Sequence, residues 1–279
     1  MKSNALMKFF LKFLLPVLIF VILFFFNSYA ALAFAVLYIA YSLYDGRSAI
    51  FAIMGNVSYG KGDVQKSMEW FRKAYATGKA QPKTIISYAY LLLKYGKVNE
   101  SEAILDKFLS KSPAFDDEML AKSNLALVLW KKGNLDKAVD LLEEVFSKYK
   151  TTTIYGSLGY LLILKGDLEK ALAFNLEAYD YNNSNSVIVD NLAQNYYLLG
   201  ELDKSEEIYE KLMSQNPTYP EAYYNYGLTL EAKGKIDKAL EIMEKALNFQ
   251  FTFLSTVSRE DVENKLKELK SKKKNSGEQ

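Results

Sequence analysis

The sequence predicts an all-α chain: an α-solenoid of about six helix pairs, preceded by a two-helix transmembrane hairpin. Three observations carry this. A glycine-centred turn recurs at Gly62, Gly96, Gly133, Gly166, Gly200 and Gly234, at intervals of 34, 37, 33, 34 and 34 residues. A small residue stands seven positions before each of these glycines and another five positions after it. No charge interrupts the run from Phe13 to Tyr44.

The hairpin occupies residues 1–44. A single helix over the 32 uncharged residues would be about 48 Å long, well beyond a hydrocarbon core of about 30 Å. The turn-like pair Asn27-Ser28 divides the run into helices near Phe9–Phe26 and Tyr29–Tyr44, each close to the minimum spanning length. Lys12 can snorkel toward the headgroups, and Ala30, Ala33 and Ala40 let two membrane helices approach closely. With Lys2, Lys8 and Lys12 on the cytoplasmic side, the rest of the chain is expected there too, which makes this a membrane-anchored protein with a cytoplasmic repeat body. The alternative is a signal peptide cleaved after Ala30, which would leave a secreted or cell-envelope structural protein. A second apolar segment that follows at once weighs against it.

The stretch GNVSYGKGD, Gly55–Asp63, matches GxxxxGK but has Gly62 where a phosphate-binding loop needs the Ser or Thr that holds Mg²⁺. Its last glycine is in phase with the other five. The stretch is therefore expected to be a helix end and a turn, not a nucleotide site.

Composition excludes several chemistries. There is no Cys and no His, so thiol nucleophiles, Cys/His zinc sites and the usual neutral-pH general base are absent. Of the 35 basic residues three lie in the first 44 positions, where there is no acid, so the remainder sets 32 bases against 33 acids. A nucleic-acid binder should instead show a basic stripe. Arg47, Arg72 and Arg259 are the only arginines. The carboxylate pairs Glu143-Glu144 and Glu206-Glu207 are expected on the solvent side of second helices. No catalytic residue, cofactor, metal or small-molecule substrate is indicated.

The repeat places two antiparallel helices against one another through the small positions: Gly55, Ala89, Ala126, Gly159, Ala193 and Gly227 face Ser67, Ser101, Ala138, Ala171, Ser205 and Ala239. Larger apolar residues flank them, among them Tyr88, Leu158, Leu192 and Tyr226 before the turn and Val98, Leu135, Leu168 and Leu202 after it. This pattern resembles the tetratricopeptide repeat, most clearly in AYYNYGLTLEAKGKIDKALEIMEKAL, Ala222–Leu247. The resemblance covers residues 47–250 and implies a right-handed α-solenoid of six helix pairs. Residues 251–274 are expected to supply a capping helix, with Ser258 and Asp261 forming a capping box and Val262, Leu266 and Leu269 an apolar stripe. Residues 275–279 read as a disordered tail. Asn175 replaces an aromatic of the pattern and is expected to loosen the fourth pair.

Such solenoids bind partners on a concave face lined by the first helix of each pair. Carried onto this chain, that face includes Tyr90, Asn124, Leu127, Trp130 and Tyr160. It continues through Asn191, Gln194, Tyr197, Tyr224 and Asn225. Amides can bond a peptide backbone, and Tyr and Trp supply contact area, so the implied function is a scaffold holding a peptide segment of a partner protein. Trp130 is the expected anchor and Asn191 the expected backbone clamp.

Overall fold

The computed structural model describes Leu6, Met7 and residues 9–277; Lys2 and Lys8, on which the expected orientation partly rests, lie outside the described residues. Among these residues the ordered elements are helices. α1 (Leu15–Phe26) is entered through a π-helical turn, Phe10–Leu14, and is followed by α2 (Ser28–Asp45), α3 (Arg47–Gly60) and α4 (Val64–Ala76). Next come α5 (Pro82–Lys94), α6 (Val98–Leu109), α7 (Phe115–Lys131), α8 (Leu135–Lys148), α9 (Thr152–Lys165) and α10 (Leu168–Tyr181). The series closes with α11 (Ser186–Leu198), α12 (Leu202–Ser214), α13 (Pro220–Ala232), α14 (Ile236–Ala246) and α15 (Arg259–Gly277).

The sequence sets these boundaries through local chemistry. All six turn glycines have a positive φ, between 74° and 92°, a conformation in which a Cβ would be strained. Polar side chains satisfy N-terminal amides: Asn27 Oδ1 caps α2, Asp63 caps α4, Thr151 caps α9, Asp167 caps α10 and Asn185 caps α11. Gly55 lies buried inside α3 and Gly62 in the turn after it, so the GxxxxGK match forms no phosphate cradle.

The contacts divide the chain into two units, residues 1–84 and 85–279. In the first, α1 and α2 run antiparallel. Lys12 Nζ reaches Asp45 Oδ2 at 3.1 Å, and the Tyr38 hydroxyl donates to the Lys12 carbonyl, so Lys12 is tied to the second helix. The hairpin surface is apolar and exposed, with Phe25, Phe26 and Tyr29 more than four-fifths accessible. Ser28–Asp45 is long and apolar enough to cross a membrane, and Phe10–Phe26 is a shorter apolar helix. α3 and α4 pack through Gly55, which leaves no room for a Cβ beside the Phe71 ring, at 3.0 Å.

The second unit stacks the pairs α5–α6 to α13–α14 and ends on α15. The small positions meet as the spacing requires, and where the later one is serine it adds a hydrogen bond. Ser101 Oγ donates to Ala89 O at 2.8 Å and Ser205 Oγ to Ala193 O at 2.9 Å; in the first unit Ser67 Oγ likewise reaches Gly55 O at 2.9 Å. Each serine thus spends its polar group on a carbonyl of the facing helix and remains fully buried at no hydrogen-bond deficit. Ala239 occupies this place in the last pair, fully buried beside Gly227 and Met243. Ala239→Leu should therefore overpack α13 against α14 and cost about 1–3 kcal/mol, read as a lower urea midpoint of the full chain.

Asn175 does not loosen the fourth pair. It is fully buried, and its Nδ2 donates to Asn195 Oδ1 at 3.1 Å and to Gly159 O at 3.4 Å. Asn195 Nδ2 in turn donates to Leu168 O at 3.0 Å, and Asn191 Nδ2 to Gly156 O at 2.7 Å. An amide network thus stitches α9 and α10 to α11 where the family pattern has a ring. Its one imperfection is Asn175 Oδ1, buried without a partner.

Glu206 also departs from the solvent-side expectation. It is buried, and although desolvation opposes its charge, hydrogen bonds from Lys233 and Lys235 hold its carboxyl down to about 2. The pairing ties α12 to the turn between α13 and α14. Glu207 on the same helix is solvated, as its neighbour was expected to be.

The terminal helix begins at Arg259. Its start is a reciprocal capping box, with Ser258 N donating to Asp261 Oδ2 at 2.8 Å and Asp261 N to Ser258 Oγ at 3.1 Å. Val262, Leu266 and Leu269 are buried in one cluster with Leu240 and Met243 of α14. The backbone stays helical through 275–277, where the sequence reading expects a disordered tail.

Candidate functional site

Residues 248–258, between α14 and α15, do not belong to the capping helix. They form a strap that crosses the face made by the first helices. Phe253 N donates to Lys94 O at 3.0 Å at the end of α5, and the Phe253 ring lies against Gly96. Lys131 at the end of α7 donates from Nζ to Ser255 O at 3.3 Å and stands over the Trp130 ring at 4.1 Å. Thr256 N donates to Glu221 Oε1 at 2.9 Å, at the start of α13. The strap thus touches three first helices, each through a hydrogen bond.

Beneath it lies a cavity of about 500 Å³. Seven of the ten sequence-predicted groove residues line it: Tyr90, Leu127, Trp130, Tyr160, Asn191, Gln194 and Asn225. Trp130 and Tyr160 meet edge to face with ring centroids 5.6 Å apart, which fixes both rings. Burial pushes the Tyr160 hydroxyl up to about 12, so it stays a neutral hydrogen-bonding group.

The other three do not reach the cavity. Asn124 donates to Ile86 O at 3.4 Å and so links α7 to α5. Tyr197 is half-buried on α11 outside the lining. Tyr224 borders a separate depression with Val257, Asp261 and Lys265 of the terminal segment. Asn191 is only partly available as a clamp, because one N–H of its amide is already given to Gly156 O.

The sequence reading missed the walls that the strap brings, Gln250, Thr252, Leu254, Ser255 and Thr256, and also Glu221. A signal was present: the capping box fixes the start of the last helix at Ser258, which leaves the run NFQFTFLSTV, rich in aromatic and β-branched residues, outside any helix. Asp190, next to Asn191 on α11, was not among the chosen site residues. It is buried, 7% accessible, and lines the cavity. Tyr209 Oη donates to its Oδ1 at 3.2 Å, and Asn225 Nδ2 lies 3.5 Å from the same oxygen. Burial, followed by the like charge of Glu221, pushes the carboxyl up to about 7 against the opposing hydrogen bonds of Asn225 and Tyr209.

Comparison with known proteins bears on the helical body. Tetratricopeptide-repeat family models match residues 123–186, 189–219 and 208–241. These stretches are similar to tetratricopeptide (TPR) repeats, and the helical body has the fold of a TPR solenoid. A TPR repeat-containing protein of Methanocaldococcus jannaschii is 26% identical over 76% of this chain and 33% of its own length. One of Bacillus subtilis is 30% identical over 43% of this chain and 25% of its own. The chain thus spans a third or less of these curated relatives. A TPR protein of Parabacteroides merdae, 14% identical, superposes with a TM-score of 0.65 over 88% of this chain and 94% of that one, a likeness of fold. In the TPR frame the cavity lies on the first helices of the pairs, and the strap is an addition to that face.

Proposed function

We propose that this TPR chain is a protein-interaction scaffold that seats a short segment of a partner protein in the strap-covered cavity, and that the apolar hairpin anchors it to a membrane. The observation that carries the binding part is the cavity itself. Aromatic rings and amides from five successive first helices converge on one space, and the turn Thr252–Ser255 of the strap lies along its rim, with Phe253 N donating to Lys94 O. Backbone pairing with alternate side chains in pockets is a recurring way to hold an extended peptide. The anchoring part is supported by the exposed apolar surface of α1 and α2.

Gln194→Ala and Trp130→Ala test the reading. Gln194 is half-buried and its side chain makes no hydrogen bond among the described residues, so its loss should leave the melting transition unchanged and weaken capture of partners from the native membrane. Trp130, a large, partly buried ring on the same face, is the expected hot spot, with a loss of about 2 kcal/mol or more, roughly thirtyfold in affinity. If both variants recover the same partners in equal amounts, the cavity is not the binding site. Reporter fusions at Ser28 and at Gln279 that indicate the same side of a membrane would remove the hairpin anchor.

A further inference from the structure

At one end the cavity presents acceptors that take no hydrogen bond among the described residues. Asp190 Oδ1 takes the hydrogen bonds of Tyr209 and Asn225, while Oδ2 receives none. The nearby Tyr219 hydroxyl cannot serve it, because its one proton goes to Ser186 O at 2.9 Å. The neighbouring side chain, Asn191, gives one N–H to Gly156 O, and its carbonyl oxygen takes no hydrogen bond among the described residues. Both residues are more than nine-tenths buried, and both line the cavity. Across from them Glu221 has one oxygen on the strap amide and the other uncommitted. Neither carboxylate has an ion pair among the described residues, in a chain whose other acids are widely paired. Lys94 also lines the space, and Lys131 is held by the strap.

We infer that the cavity receives the cationic head of a basic side chain of the partner segment, an arginine guanidinium in preference to a lysine ammonium, seated on Asp190 and Glu221. Two carboxylates facing one end of the cavity favour a ligand rich in N–H donors, and a guanidinium has five and no acceptor. Its planar face also suits the walls formed by Trp130 and Tyr160. The space is far larger than a single metal ion needs. The structural carboxyl at Asp190, held near neutrality by burial, becomes a full charge when a cation arrives, which concentrates the selectivity at this residue.

This inference rests on the reading that the cavity binds a partner segment, and the test separates the two. The probes are acetylated, amidated alanine pentapeptides with a central arginine, lysine, citrulline or glutamate, titrated calorimetrically into the full chain in detergent. Agmatine is titrated alongside them. The arginine peptide should bind best, and citrulline, which keeps the shape and loses the charge, should bind about tenfold more weakly or worse. Asp190→Asn should cost the arginine peptide a similar factor and leave the citrulline peptide unchanged; Glu221→Gln, which keeps an acceptor for Thr256, should act in the same direction. Equal binding of the arginine and citrulline peptides, an unchanged affinity in Asp190→Asn, or no binding at millimolar peptide overturns the inference. If all peptides bind regardless of charge and Gln194→Ala weakens them all, the groove reading stands and the cation preference falls. Agmatine binding more tightly than the arginine peptide overturns it in favour of a free amine.

Discussion

Gly159→Val is expected to destabilise the chain by about 3 kcal/mol, the largest single-site effect in the helical body. A Cβ at this position would stand 2.1 Å from Asn175 Oδ1 and 3.2 Å from Asn191 Nδ2. Neither amide can retreat, because Asn175 is bonded to Asn195 and Gly159 O, and Asn191 to Gly156 O. Ordinary helix propensity acts in the opposite direction, since replacing a helical glycine by alanine gains up to about 1 kcal/mol. Gly60, with nothing within 4 Å of its ideal Cβ, supplies the control: Gly60→Ala should be neutral or slightly stabilising. Coupling is the sharper readout. Gly159→Ala combined with Asn175→Ala should be more stable than the two single losses added, by about 1 kcal/mol or more, because the second change removes the obstacle to the first. Urea melts followed by circular dichroism measure all four proteins, and strict additivity would show that glycine and amide are not fitted to one another.

Asp190→Asn is expected to stabilise the chain by about 2 kcal/mol at pH 8 to 9 and by little at pH 5. The sign follows from the direction of the shift. The folded state raises the Asp190 carboxyl from 3.8 to about 7, so between these values the native chain binds more protons than the unfolded chain. The contribution of the neutral acid is complete below about 4 and is lost as the pH rises through 7, where an ionised carboxylate has to remain in a site that burial and the Glu221 charge both disfavour. The full shift corresponds to about 4 kcal/mol, and access of water from the cavity side reduces it. Asparagine keeps the acceptor for Tyr209 and never ionises. Equal gains at pH 5 and pH 9, measured as thermal midpoints, would exclude Asp190 as the titrating group.

These two residues also mark how far the sequence carries. Periodicity made the helix pairs legible, because each turn needs a residue able to adopt a positive φ and each close helix contact needs a small one, and both requirements act within a single repeat. Gly62 could be removed from a phosphate-loop reading on that ground alone. The resemblance to a known repeat then assigned the first helices to the binding face, and the structure brings seven of the ten chosen residues to one cavity. Asn175 was misjudged for an instructive reason. An amide in an apolar slot is unfavourable alone and acceptable when its hydrogen bonds are met, and its partners Gly159 and Asn195 are 16 and 20 residues away. Nothing local announces that pairing.

By itself the sequence determined the helical class, the turn positions, the apolar hairpin segments, the capping box at Ser258 and the absence of Cys and His chemistry. All of these follow from residue type and spacing over a few turns of helix. Tertiary structure alone decided the strap across the first helices, the burial of Asp190 and the enclosure of the cavity. Each depends on contacts such as Lys131 with Ser255, 124 residues apart, or Phe253 with Lys94, and no local propensity encodes them. A loop that is free in the sequence becomes a wall only when the curvature of several stacked pairs brings their ends within hydrogen-bonding reach.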